Sequence, residues 1–84
     1  MESKKFLYFS APWCGPCKMF GPVMDELSET MTVEKINVDE NQELSSQYNI
    51  RSVPTVVLIE NDAEVWRTVG VTPKTKLIEV YNGN

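Results

Sequence analysis

The stretch Trp13-Cys14-Gly15-Pro16-Cys17 holds the only two cysteines of an 84-residue chain. It follows an apolar run, residues 6–9, and it precedes a segment with helical periodicity, residues 18–30. A Cys-x-x-Cys pair at a strand-to-helix junction is typical of thiol redox chemistry. The stretch therefore predicts a βα unit with a reactive cysteine pair at its turn.

The spacing of the two cysteines suits two successive chemical steps. A helix N-terminus presents unpaired N–H groups and the positive end of the dipole, so Cys14 is predicted to ionise readily and to act as the nucleophile. Cys17, one turn further on, can displace a partner held on Cys14 as a mixed disulfide. Gly15 and Pro16 suit the tight junction, because a proline at a first helical position sacrifices no hydrogen bond. Lys18 adds positive charge nearby.

Three other interpretations of the cysteine pair are weaker. A structural disulfide closing so short a loop removes little chain entropy. A zinc site needs about four ligands, whereas this chain has two cysteines and no histidine. Two unrelated buried cysteines are the third interpretation, and the flanking Trp and Gly-Pro argue against it.

Length and composition predict one globular domain over residues 1–84. Hydrophobic residues make up 42% of the chain and charged residues 24%. The net charge of −4 and the lack of a Lys/Arg cluster argue against a nucleic-acid partner. The apolar runs are too short to span a bilayer. The N-terminus leads into a strand without the apolar region of a signal peptide, so a cytoplasmic location is expected.

Apolar periodicity predicts seven elements in the order βαβαββα. Two strands joined by a helix imply a parallel pair with a right-handed crossover. The continuous apolar run at residues 56–59 predicts a strand buried on both faces, and the more polar strand after it is expected at a sheet edge. Strands are predicted over residues 4–9, 32–38, 55–60 and 64–69, and helices over 17–30, 39–48 and 73–81.

Short signals between these elements predict how they begin and join. Asp39 with Gln42 predicts a capping box at the start of the second helix. Thr72 followed by a proline predicts the N-cap of the third helix. Asn61-Asp62 predicts a tight hairpin turn.

Two motifs resemble the signatures of the thioredoxin family. Residues 13–18 match its active-site motif in full, and Ser52-Val53-Pro54-Thr55 matches its second signature, a loop whose cis-proline faces the disulfide. The resemblance runs from about Phe6 to the C-terminus. It implies the minimal thioredoxin fold, an α/β fold with a four-stranded mixed sheet and helices on both faces. Too few residues precede Phe6 for the extra strand and helix of full-length members, so the chain is similar to short viral, archaeal and glutaredoxin-like ones.

The resemblance implies a thiol–disulfide oxidoreductase that reduces protein disulfides through the Cys14/Cys17 dithiol. It implies no bound cofactor or metal, a monomer, and a thioredoxin reductase or glutathione system as electron donor. One alternative is a glutaredoxin-like reductant that depends on glutathione; the Gly-Pro between the cysteines favours thioredoxin, whereas the short architecture leaves this alternative open. A second alternative is a non-catalytic binding subunit, and the intact cysteine pair argues against that as the only role.

The resemblance also assigns a surface that binds the substrate. Trp13 is expected to offer exposed contact area, and Trp13 and Pro16 are expected to leave Cys14 exposed. A cis bond before Pro54 would turn the backbone of Val53 outward, where a substrate segment pairs with it like an added strand. Gly70 and Val71 are implied as part of a flat apolar rim around Cys14.

Two residues depart from the family pattern. Tyr8 stands where thioredoxins usually bury an aspartate, and a phenol with a pKa near 10 cannot act as a base at neutral pH. Lys35 matches the lysine that accompanies the aspartate, so it is expected near the site without its usual carboxylate partner. Ser10 stands where many thioredoxins carry another tryptophan.

Overall fold

A computed structural model describes residues 3–83 and contains the seven predicted elements in the predicted order. The first helix begins two residues earlier than predicted and continues through Pro22. The bounds are β1 Lys4–Ser10, α1 Gly15–Leu27, β2 Val33–Asn37, α2 Gln42–Gln47, β3 Thr55–Glu60, β4 Ala63–Val69 and α3 Lys74–Tyr81.

The four strands form one mixed sheet in the order β2-β1-β3-β4. β1 and β2 are parallel, as the intervening helix predicts, and the other two pairs are antiparallel. β3 lies inside the sheet with five of its six residues buried, and β4 forms an edge. Asn61 and Asp62 join these two strands with φ angles of 52° and 68°, which are typical of a two-residue hairpin turn.

Helices cover both faces of the sheet because β1 and β3 alternate their side chains between two apolar clusters. Phe6 and Tyr8 of β1 belong to the cluster that includes buried residues of α1 and α3. Leu7 and Phe9 belong to the cluster against which α2 packs through Leu44 and Tyr48. Residue 10 continues the series of residues 6 and 8, so it lies on the α1 side.

Both predicted side-chain caps are wrong. Asn41, not Asp39, is the N-cap of α2, and no side chain caps that helix. The Asp39 carboxylate instead accepts a hydrogen bond from the indole of Trp13. Pro73 is the N-cap of α3, and no side chain caps that helix. The Thr72 hydroxyl instead donates to the Gly70 carbonyl and lies within hydrogen-bond distance of the Thr68 hydroxyl in β4.

No helix within residues 3–83 combines the length and the apolar character that crossing a bilayer requires.

Asp62 provides a test of the hairpin turn, because its φ of 68° disfavours β-branched side chains. Asp62→Val should lower the free energy of unfolding by about 1–2 kcal/mol, whereas Asp62→Gly should not lower it. Both variants lose the same charge, so their difference isolates the backbone conformation. Urea unfolding measures it, and equal stability of the two variants would contradict the turn geometry.

Candidate active site

The two cysteines lie at the start of α1 and form a disulfide, with their Cα atoms 5.3 Å apart. Cys14 is the N-cap of the helix: its backbone is extended, and its Sγ accepts a hydrogen bond from the Cys17 N–H at 3.2 Å. Gly15 and Pro16 are the first two helical residues; the Gly15 N–H has no intrahelical partner, and Pro16 has no N–H to leave unpaired. The sulfur of Cys14 thus occupies the place of a capping oxygen.

Both cysteines are largely buried, so the expectation that Cys14 is exposed is wrong. Cys14 is 4% and Cys17 6% exposed. Ala11 is buried with them, and Val38 and Val53 pack against this group. A partner therefore has to dock closely before it can reach a sulfur atom.

An apolar rim surrounds the cysteine pair. Trp13 is 68% exposed, as predicted, and its indole N–H donates to Asp39 at 3.0 Å, which fixes the ring at the surface. The Val53–Pro54 bond is cis, as predicted. The Gly70 N–H donates to the Pro54 carbonyl at 2.8 Å, so the loop of Gly70 and the exposed Val71 lies beside the proline.

A shallow apolar depression connects the Trp13 ring to the proline loop. It has a volume of about 160 Å³ and is lined by Trp13, Val38, Ile50, Arg51, Ser52 and Val53.

Tyr8 lies beneath the cysteines and is 1% exposed. Its hydroxyl donates to the Cys17 carbonyl at 3.3 Å, and its ring meets Phe20 edge to face with centroids 5.6 Å apart. Burial raises the pKa of the Tyr8 phenol above its ordinary value near 10. Tyr8 is therefore neutral at physiological pH and cannot accept a proton there.

Lys35 lies near the site, as expected, and in place of its usual partner it pairs with a carboxylate that was not predicted, Asp25. Its Nζ lies 2.6 Å from Oδ1 of Asp25, and both side chains are about half exposed. Sequence reasoning missed Asp25, although a signal was present: Asp25 follows Lys18 by seven residues and Gly21 by four, so the three share one helix face. The charge of Lys35 is thus partly neutralised by α1.

An open cavity of about 280 Å³ adjoins Cys17 on the α1 side of the sheet. It was not predicted from the sequence. Its lining consists of Tyr8, Ser10, Ala11, Pro12, Cys17, Lys18, Gly21, Lys35 and Asn37.

This fold, with a disulfide-forming Cys-x-x-Cys pair capping a helix, defines a thiol–disulfide oxidoreductase. A family model described as Thioredoxin matches residues 1–82. The thioredoxin of Haemophilus influenzae is 48% identical over 80 residues, which cover 90% of this chain and 75% of that protein. The thioredoxin of Bacillus subtilis is 45% identical over 78 residues, covering 88% and 75%.

Solved structures agree with these relatives. A mutant thioredoxin from Halobacterium salinarum superimposes with a TM-score of 0.86 at 42% identity, covering 96% of this chain and 76% of that one. The chain belongs to the thioredoxin family. It is a protein-disulfide reductase, and its substrates are protein disulfides.

Replacing Tyr8 by phenylalanine tests the neutrality of the phenol. At neutral pH, Tyr8→Phe should lower the free energy of unfolding by about 1 kcal/mol, because the hydrogen bond to Cys17 is lost. Above about pH 10 Tyr8 loses its proton in the unfolded wild type but keeps it in the folded form. This difference lowers the free energy of unfolding of the wild type as the pH rises, and the variant, which has no phenol at residue 8, is not affected. The deficit of the variant should therefore shrink. Urea unfolding across this range measures it, and a constant deficit would contradict a raised pKa.

Proposed function

We propose that Cys14 is the attacking nucleophile and that Cys17 resolves the mixed disulfide. The observation that carries this proposal is the 3.2 Å hydrogen bond from the Cys17 N–H to the Cys14 Sγ at the start of α1. A backbone donor and the positive end of the helix dipole both stabilise a thiolate at Cys14 relative to the thiol. Lys18, one residue beyond Cys17, adds to the positive field.

The reaction has two steps. The Cys14 thiolate attacks one sulfur of a substrate disulfide, forms a mixed disulfide and releases the other substrate sulfur as a thiolate. Cys17, which already lies within disulfide distance, then attacks Cys14 Sγ and releases the second substrate sulfur. Two electrons pass from the dithiol to the substrate, and the Cys14–Cys17 disulfide remains.

The apolar rim is the proposed docking surface for the substrate. An extended segment can lie along the loop of Val53 and Pro54 as an added strand. Trp13, Gly70 and Val71 border this loop and offer apolar contact area. Because Cys14 is largely buried, close packing on the rim precedes attack, which favours polypeptide disulfides over small ones.

The remaining proposals concern the setting of the reaction. The redox-active disulfide is proposed to suffice without a bound cofactor or metal. The protein is proposed to act as a cytoplasmic monomer in electron transfer for cell redox homeostasis, where thiols are kept mostly reduced and disulfides are transient. A thioredoxin reductase is the favoured electron donor, with the glutathione system as the alternative.

Insulin reduction tests the electron donor. The protein should reduce insulin disulfides faster with NADPH and thioredoxin reductase than with glutathione, NADPH and glutathione reductase. The fall in NADPH absorbance measures both reactions, with each reductase system alone as the control. A faster reaction with glutathione would favour the glutaredoxin-like alternative.

Single cysteine variants test the assigned roles. Cys17→Ser should accumulate mixed disulfides with protein substrates, because nothing resolves them, and Cys14→Ser should not. In the reduced wild type at mildly acidic pH, iodoacetamide should alkylate Cys14 before Cys17, which peptide mass spectrometry detects. Earlier labelling of Cys17, or trapping by Cys14→Ser, would reverse the assignment.

A further inference from the structure

We propose that the open cavity beside Cys17 is a hydration site whose water takes the proton of Cys17 in the resolving step. Ser10 and Gly21 keep this site open because their side chains are small. The inference rests on the proposed role of Cys17 as the resolving cysteine and adds the route by which that cysteine is deprotonated.

The lining of the cavity offers no base at neutral pH. Among the described residues, 3–83, those that line the cavity include no Asp or Glu. The chain has no histidine. Tyr8 is neutral, because the ordinary pKa of a phenol is near 10 and burial raises it further. Lys18 and Lys35 contribute cations. A proton that leaves Cys17 on this side therefore passes to solvent.

The size and polarity of the cavity suit water. Its volume of about 280 Å³ is several times the roughly 30 Å³ that one water molecule occupies in the liquid. Ser10, Asn37 and Lys35 line it, and their polar side chains can bind water by hydrogen bonds. Beyond its own helix and chain neighbours, a Cβ added at Gly21 would meet no atom within 4 Å.

Hydration of Cys17 favours its ionised form. Desolvation raises the pKa of a buried thiol, so water next to the sulfur opposes that rise. The charged and titratable groups on this side are Tyr8 from β1, Lys35 from β2, and Lys18 and Asp25 from α1. Both lysines favour a thiolate at Cys17, but Asp25 offsets the charge of Lys35.

The resolving step balances without a further reactant. The Cys17 thiol releases its proton to cavity water, and the thiolate attacks Cys14 Sγ. The Cys14–Cys17 bond forms as the bond between Cys14 and the substrate sulfur breaks. The substrate sulfur leaves with the electron pair and is protonated by solvent.

Stopped-flow reaction of the reduced protein with dithionitrobenzoate separates the two steps. The first thionitrobenzoate is released as Cys14 attacks, at a rate that rises with reagent concentration. The second is released as Cys17 resolves, at a rate independent of that concentration. In the wild type, the second phase should quicken as the pH rises from neutral to mildly alkaline.

Filling the cavity should slow the second phase alone. Ser10→Trp fills it from β1 and Gly21→Leu from α1. Each should slow this phase about tenfold at neutral pH and move its pH midpoint up by about one unit, because the sulfur is desolvated. Ser10→Ala, which removes one water-binding hydroxyl but leaves the space, should slow this phase clearly less than Ser10→Trp does. Thr30→Trp places the same ring on an exposed residue beyond the far end of α1 and should match the wild type.

Four outcomes would overturn the inference. An unchanged rate of the second phase in Ser10→Trp or Gly21→Leu would show that the cavity takes no part in resolution. Thermal unfolding checks that each variant is folded. An equal loss in Ser10→Ala assigns the effect to the hydroxyl. A slower second phase in Asp25→Asn makes that carboxylate the proton acceptor. If the wild type shows neither phase, the proposed function is wrong as well. If the first phase is normal and only the second behaves differently from expectation, only the proposed role of the cavity is wrong.

Discussion

The hydrogen bond from the Cys17 N–H to the Cys14 sulfur joins the chemistry of this protein to its fold. It forms because β1 ends at Ser10 and α1 begins at Gly15, which leaves Cys14 at the N-cap. The helix stays there because Phe20, Met24 and Leu27 are buried against the sheet. The packing of the core thus sets the distance between the sulfur and the helix terminus. The Cys17 N–H, which would stabilise the proposed thiolate, cannot move away from Cys14 without disrupting that packing.

Elements specified by local pattern were predictable from the sequence. The bounds of β3 match, since a run of apolar residues between turn signals has few other interpretations. The hairpin turn was predictable because Asn and Asp tolerate positive φ. The cysteine pair, the cis bond before Pro54 and the exposure of Trp13 also agree with expectation. For β3 and the turn the information lies within a few neighbouring residues, whereas the cis bond and the exposure of Trp13 were implied by the resemblance to the thioredoxin family.

Features that depend on competition between distant partners were not predictable. Asp39 has the side chain of a good N-cap, but the Trp13 indole, 26 residues earlier, binds its carboxylate. Lys35 pairs with Asp25, ten residues away in sequence, because α1 packs beside β2. The burial of Cys14 depends on Val38 and Val53, which come from two separate loops. A local pattern offers candidates for such contacts, and the tertiary arrangement selects among them.

At the position of Tyr8, a residue that suits the buried core differs from one that could act as a base beside Cys17. A carboxylate in this position would be a base beside Cys17, but burying a charge costs free energy unless it is paired. Tyr8 instead fills the core, meets Phe20 edge to face and satisfies its hydroxyl on the Cys17 carbonyl. A neutral Tyr8 cannot accept the Cys17 proton, which is why we propose that this proton passes to solvent. Ser10, two residues along the same face of β1, lines the cavity beside Cys17 that we propose holds this solvent. The proposal therefore links the two departures from the family pattern: Tyr8 offers no base at neutral pH, and the small side chain of Ser10 leaves room for water beside Cys17.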